Sequence, residues 1–258
     1  MSDALSQDGS PISSLAELRL LHLADSAFPI GSLAHSFGLE SLVDAGYLDV
    51  AALPEFLRGY LEEAGVLEAA FLRAAFFLGA GASDQDISHG RPQRSSKEWL
   101  REWLDLCDRL SALKPARESR AGSAALGENF LNTILATEDL PRVRAALAAA
   151  RELRDGRRTL IHHSVAFGLA AGALALDEER VVLAFLHQTM TSLVSACQRL
   201  LPLGQTAATR ILWDLKPAII DATVRSAAVS TAQASCFMPL LDWGAMEHPS
   251  LTTRLFIS

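Results

Sequence analysis

The chain contains few cysteines, and they lie too far apart in sequence to suggest a shared site. Only three occur among the 258 residues, at Cys107, Cys197 and Cys236. An odd number at such spacing fits neither a disulfide framework nor a CxxC metal knuckle. We therefore expect each cysteine to be a small buried hydrophobic residue in a reducing compartment, which indicates a cytoplasmic protein.

Positively charged residues are fewer than negatively charged ones. Lysine and arginine total 23 against 30 aspartates and glutamates, which gives a formal net charge of −7. Binding to nucleic acid needs clustered cations that displace counterions from phosphates, and no run of lysine or arginine stands out. The composition therefore argues against a nucleic-acid partner.

Long hydrophobic segments are missing as well. The longest apolar run without charge, residues 165–176, has about a dozen residues, whereas a membrane-spanning helix needs about 20. The first eight residues, MSDALSQD, are polar and acidic, unlike the cationic start of a signal peptide. The sequence predicts a protein with no membrane association.

The common catalytic motifs are not found. The sequence contains no GxxxxGK[ST] phosphate-binding loop, no HExxH zinc motif and no GxSxG nucleophile elbow. Gly79 and Gly81 follow a helical pattern, whereas a dinucleotide site needs its glycines after a strand. We predict that the chain is not an enzyme and has no cofactor or metal site of its own.

What the sequence does contain are patterns typical of helices. Alanine and leucine, both strong helix formers, are abundant, and apolar residues recur at three- and four-residue steps, most clearly after Pro54. The fold class predicted is all-α: one compact domain of about ten helices over residues 15–258, after a disordered arm at residues 1–14. Residues 162–176 should form a central helix because they are apolar on all sides, and two helices are expected between residues 205 and 246.

The histidines offer two alternatives. His22 and His35 flank a Phe-Pro-Ile-Gly turn with Asp25 between them. They either structure this turn through hydrogen bonds or line a path for a metal ion or water, because imidazole is a common transition-metal ligand. His162 and His163 are adjacent, so on a helix they point to different sides and are poorly placed to chelate together.

Two charged or apolar segments are candidate interaction sites. Arg117 and Arg120 begin a predicted helix and form either a solvated face or a partner surface. The C-terminal tail contains Arg254, Leu255 and Phe256, although chain ends are generally polar. The tail therefore either docks on its own domain or anchors another protein, since arginine and aromatic residues are common at binding hot spots.

Several segments together resemble the UreF family of urease accessory proteins. The longest is LADSAFPIGSLAHSFGLE at residues 23–40, which is similar to the family's opening signature. RESRAG at 117–122, HSVAFG at 163–168, SACQRLLPLGQT at 195–206 and the tail at 248–258 follow in the family's order. The resemblance spans nearly everything after residue 15.

The resemblance implies an all-helical, homodimeric protein without an active site. Such a protein binds UreD, called UreH in some organisms, and with it recruits the GTPase UreG to apo-urease for nickel insertion. Arg254, Leu255, Phe256, Arg117 and Arg120 would then contribute to partner binding. The alternative is a GTPase-activating helper in which Arg120 or Arg254 supplies an arginine to the transition state on UreG.

The sequence departs from the family pattern at four positions. Pro249 and Ile257 replace an acidic residue and an arginine that the family often has near its C-terminus. Ser32 and Phe37 stand at positions that the family often fills with glycine, so the turn that contains them is expected to be less tight or differently packed.

Overall fold

The computed structural model describes residues 11–81, 95–154 and 156–257, and these residues are helical with short connections. No strand occurs within these ranges, where Arg154 and Arg157 form a single isolated β-bridge. The predicted all-α class is confirmed. Most of the predicted arm, residues 1–10, lies outside the described residues.

The helices follow one another in a bundle. Their bounds are α1 Pro11–Leu23, α2 Leu39–Asp44, α3 Leu53–Tyr60, α4 Val66–Ala80, α5 Ser96–Ala112, α6 Arg117–Thr137, α7 Pro141–Arg151, α8 His163–Ala173, α9 Glu178–Leu200, α10 Gln205–Asp214, α11 Lys216–Ser226 and α12 Pro239–Glu247. A π turn at Leu61–Gly65 joins α3 to α4, and 3-10 turns occupy Ser32–Ala34 and His248–Ser250. The sequence predicted most of these segments.

Local sequence explains where several helices begin. Ser95 and Glu98 form a capping box in which each side chain bonds the other residue's backbone N–H. The Asp177 side chain accepts from the backbone N–H of Arg180 at 2.9 Å and so caps α9, as the sequence predicts. Pro54 and Pro141 lie in first helical turns, where proline loses no hydrogen bond.

The centre of the domain is the pair of helices α4 and α8. Residues 164–172 of α8 are all buried, which confirms the prediction of a central helix. The two backbones touch because α8 has glycines four residues apart: a methyl group at Gly168 would overlap the carbonyl oxygen of Leu72, and one at Gly172 that of Phe76. A methyl group added at Gly79 of α4 would likewise overlap the carbonyl oxygen of Leu169.

Three helix boundaries differ from the prediction. Helix α1 begins at Pro11, three residues earlier than expected, because proline is compatible with a first helical turn. Helix α4 continues to Ala80, since Gly79 is needed inside it for contact with α8. Three helices, not two, follow residue 205, because Pro217 starts a new helix directly after α10. The rest of the predicted 79–96 connection, residues 82–94, lies outside the described residues.

Helix α9 is the one described helix that is long and apolar enough to cross a membrane. However, 56% of its most apolar window is buried inside the protein. Buried helices at the centre of soluble proteins have this composition, so α9 is better explained as a core helix.

The cysteines are free, and two of the three are buried as predicted. Cys107 and Cys197 are buried, whereas Cys236 is only half-buried. Burial raises the pKa of the Cys197 thiol to about 12 and, together with Glu63 and Asp242, that of Cys236 to about 11. These thiols are therefore protonated at neutral pH.

Candidate partner-binding site

The turn after α1 is held by side chains of two distant helices. Asn129 of α6 donates to the carbonyl of Ile30 at 3.2 Å, and Gln188 of α9 donates to the carbonyl of Asp25 at 3.3 Å. Phe28 and Ile30 point into the core and are 5% and 1% exposed. The Phe-Pro-Ile-Gly sequence is therefore a fixed structural corner between α1, α6 and α9.

The three residues predicted to line a metal path or to structure this turn have separate contacts. Asp25 accepts the backbone N–H of Ala27 at 2.8 Å, and His22 packs edge-on against Phe28. His35 stacks on Phe37, and burial lowers its pKa. Within the described ranges no cluster of three or more His, Cys, Asp or Glu side chains is arranged to hold a metal ion.

Phe37 has a left-handed backbone conformation. Its φ is 51°, a region that side chains other than glycine adopt at a cost. The sequence suggested that a residue other than glycine here would make the turn less tight or differently packed. Phe37 has the left-handed geometry, and the next residue, Gly38 with φ of 96°, packs directly against Ala245 and Leu241 of α12.

Glu40 joins the start of the domain to its end. Its carboxylate accepts the backbone N–H of Leu255 at 2.6 Å and that of Phe256 at 3.2 Å. Nε2 of His248 lies 2.9 Å from Oε2, the oxygen that also accepts from Phe256. Glu40 is 6% and His248 1% exposed, so a buried charge is satisfied entirely by the C-terminal segment. We name Glu40 and its three partners the tail clamp.

The tail is therefore docked on its own domain. Phe256 is 5% exposed, and the guanidinium of Arg199 lies over its ring at 4.2 Å. The backbone N–H of Ile257 donates to the carbonyl of Ala34 at 2.8 Å. Arg254, Leu255 and Ile257 face outward, and the last two side chains are 56% and 72% exposed.

An exposed apolar face lies on the helix before the tail. Leu240, Trp243 and Met246 follow one another at three-residue steps on α12 and are 49%, 38% and 49% exposed. Tyr47, 61% exposed, packs edge-on against Trp243. We call these four residues the α12 face. Exposed apolar side chains grouped in this way are candidates for a protein-binding surface.

The two arginines at the start of α6 differ in their surroundings. Arg120 donates to the carbonyls of Lys114 and Pro115, the latter at 2.7 Å. These contacts fix the turn between α5 and α6. Arg117 lies in the first turn of α6 and is exposed. Arg117 is therefore available to a partner, whereas the Arg120 guanidinium is largely used within the chain.

Sequence reasoning missed a buried ionic cluster behind this turn. Glu68 of α4 is paired with Lys114 and accepts from the Ser164 hydroxyl of α8. Burial alone would raise the pKa of Glu68, but Lys114 and the hydrogen bonds outweigh it and hold the pKa below its ordinary value. The sequence pattern that could have predicted this cluster is Glu68 itself, a single glutamate among the apolar residues of a helix. A buried glutamate of this kind needs a partner for its charge.

The adjacent histidines point to different sides, as predicted. His162 is fully buried and its Nε2 lies 2.8 Å from the Ser111 hydroxyl. His163 lies among Phe130, Phe167 and Phe185. Burial lowers the pKa of His162 to about 3, with Lys114 adding to the shift, and lowers that of His163 to about 4.

We expect these histidines to make stability depend on pH. Their folded pKa values lie below 6.5, so the unfolded chain binds more protons between about pH 4 and 6.5, and stability falls as the pH is lowered through that window. From pH 7 to pH 5 the free energy of unfolding should drop by about 2 kcal/mol for each histidine. Urea denaturation followed by circular dichroism at pH 7, 6 and 5 measures this.

The control for that measurement is His162→Gln, which keeps a polar group near Ser111. Its free energy of unfolding should vary less steeply between pH 7 and pH 5 than that of the parent chain, whatever its stability at pH 7. An unchanged slope would contradict the assignment to His162.

A cavity of about 130 Å³ lies beside the ionic cluster. Glu68, Lys114, His163, Gln188 and His35 contribute polar groups to its lining. Among the described residues, Nε2 of His163 and Oε1 of Gln188 are buried without a hydrogen-bond partner. The lining is therefore polar enough to accept water or a small polar solute.

Comparisons with known proteins agree on one family. The family model described as UreF matches residues 48–216. The urease accessory protein UreF of Corynebacterium glutamicum (strain R) is 31% identical over 244 residues, covering 94% of this chain and 98% of that protein. UreF of Nostoc sp. is 31% identical over 93% of this chain and 95% of its own length, and UreF of Actinobacillus pleuropneumoniae is 30% identical over 93% and 97%.

Proposed function

Because the chain belongs to the UreF family of urease accessory proteins, we propose that it is a non-catalytic scaffold for nickel insertion into apo-urease. In this proposal it binds UreD/UreH and, together with that protein, recruits the GTPase UreG. Nickel is the cargo of the assembly, and this chain supplies surfaces for its partners. Family members are soluble proteins, and we propose a cytoplasmic location and a homodimeric state.

The observation that carries the proposal is the docked tail. The tail clamp fixes residues 254–257 so that Arg254, Leu255 and Ile257 face outward. The α12 face is tied to the same region through Gly38 and Gly244, whose backbones are in contact. An exposed arginine next to exposed apolar residues in the same tail has a composition common at protein-binding hot spots.

This geometry divides the predicted partner-binding residues into two groups. Arg254, Leu255 and Arg117 are exposed and can contact a partner directly. Phe256 and Arg120 are engaged inside the chain, so we propose that they position the tail and the α5–α6 turn. For His22, Asp25 and His35 the contacts favour turn-structuring over a nickel path.

Removal of the tail tests the scaffold. A chain that ends before Thr252 loses all contacts of residues 254–257 and should recover at least tenfold less UreD/UreH and UreG when tagged and co-expressed with them. The matched control is the full chain with Glu55→Ala, an exposed acid on α3 that pairs with Arg58. If the truncated chain recovers UreD/UreH and UreG as well as the full chain does, the interface lies outside the tail.

The same complex tests the GTPase-activating alternative. Arg254 is the exposed arginine of the tail, so Arg254→Ala separates the two roles. A scaffold loses partner recovery in this variant. An arginine donor keeps the complex and slows GTP hydrolysis by UreG. Both carbonyl contacts of Arg120 are made by Nη1, and they support a role for this residue in holding the α5–α6 turn.

A further inference from the structure

Helix α11 has apolar side chains on two of its faces. Its inner face, which includes Ile219 and Ala222, is buried against the rest of the domain. On its outer side, and at the end of α10 before it, apolar residues recur at steps of four, three and four: Trp213, Pro217, Ile220 and Val224. We call these four residues the α10–α11 stripe. A surface helix needs one apolar stripe for its core, so the second stripe indicates a contact outside the chain.

The α10–α11 stripe is open to solvent along its length. Trp213, Ile220 and Val224 are 66%, 56% and 61% exposed, and Pro217 is exposed as well. The ammonium group of Lys216 lies over the Trp213 ring, 3.1 Å from its centroid. A large aromatic residue next to exposed aliphatic side chains is typical of the centre of a protein interface.

One flank of the stripe carries an acid and a base at a spacing that matches its apolar residues. Asp221 directly follows Ile220, and Arg225 directly follows Val224. The two charged side chains lie 3.6 Å apart and are 63% and 48% exposed. An exposed pair of this kind contributes little to the stability of its own helix, so both groups are available to a second partner.

We propose that the α10–α11 stripe binds a second copy of this chain in an antiparallel contact with twofold symmetry. A twofold axis that passes between Ile220 and Val224 sets Ile220 of each copy against Val224 of the other. The same axis brings Asp221 of each copy close to Arg225 of the other, because this pair has the same four-residue spacing one position further along the helix. One register therefore satisfies the apolar and the charged residues together.

The charges favour a second copy over an unrelated partner. In a twofold contact the same patch forms both sides, so every charge must find its complement within that patch. The flank of the stripe meets this condition, since Asp221 and Arg225 exchange places under the twofold axis. The proposal names a surface for the homodimeric state proposed above and rests on that state. It uses no residue of the tail clamp or of the α12 face.

Sedimentation velocity of the full chain tests the proposal. The chain should dimerise between about 1 and 100 µM, the range expected for a modest interface. Ile220→Glu should raise the Kd of the dimer at least about tenfold, because the contact would bury an unpaired charge. The matched control is Leu18→Glu on α1, where the leucine is 64% exposed, and its dimer should be unchanged. Both positions are exposed, so circular dichroism should show the same helix content in both variants.

Charge reversal tests the antiparallel pairing. Asp221→Arg and Arg225→Asp each place like charges across the contact and should each weaken the dimer at least about fivefold. In a mixture of the two variants, each mixed dimer has opposite charges across the contact, although each chain keeps its own like-charged pair. The mixed dimer should therefore be tighter than the dimer of either variant alone. This rescue cannot come from the pair within one chain.

Three outcomes would overturn the proposal in different ways. A chain that stays monomeric would exclude both this surface and the homodimeric state, while recovery of UreD/UreH still tests the scaffold. A dimer unaffected by Ile220→Glu would keep the homodimeric state and exclude this surface, and a mixture no tighter than the separate variants would exclude the antiparallel pairing. If the chain is monomeric and Ile220→Glu loses UreD/UreH or UreG, the α10–α11 stripe binds a different protein.

Discussion

Gly172→Ala is expected to lower the free energy of unfolding by about 3 kcal/mol, at the upper end of what overpacking costs. The added methyl group would overlap the carbonyl oxygen of Phe76 and also approach the backbone N of Ala80. Backbone atoms within a helix cannot rotate away, so α4 and α8 must separate along their whole contact. Chemical denaturation of the purified variant measures the loss, and Gly168→Ala, which meets Leu72, should behave alike.

Gly59→Ala is the matched control for this effect. Gly59 also lies inside a helix, α3, but a methyl group there meets no atom within 4 Å. The substitution should stabilise the chain by about 0.5–1 kcal/mol, because glycine is a poor helix former. If Gly59→Ala and Gly172→Ala had the same effect, close backbone contact would not be what requires glycine in α8.

The sequence predicted helices well because their signals are local. Asp177 as a cap, Pro141 at a first turn and the apolar face of residues 162–176 each depend on a few neighbouring residues. Boundaries were wrong where tertiary contact decides. Glycine at position 79 is typical of a helix end. In the structure it lies inside α4, where its backbone contacts the backbone of α8.

The candidate site could be predicted only in part. The tail at 254–256 stood out because it is apolar, yet its composition could not tell docking on its own domain from binding to a partner. That answer depends on Glu40, 215 residues away from Leu255, and no local pattern identifies such a pair.

Glu40→Ala is expected to release the tail while the helical core stays folded. The substitution leaves the backbone N–H groups of Leu255 and Phe256 and the ring of His248 without their common acceptor. Each unsatisfied buried group costs about 1–3 kcal/mol, which detachment of residues 252–257 relieves by exposing these groups to water. The population of detached tail should therefore rise about 100-fold, which corresponds to about 2.8 kcal/mol.

Hydrogen exchange measures the release directly. The backbone amides of Leu255 and Phe256 should lose protection in Glu40→Ala, while amides of α8, at the centre of the core, should keep theirs. Glu40→Gln retains a carbonyl acceptor without the charge and should show an intermediate loss, because charge-assisted hydrogen bonds are the stronger ones. Global loss of protection would show that Glu40 supports the core and not the tail alone. If the tail is released and UreD/UreH is still recovered fully, the docked tail is not the partner surface.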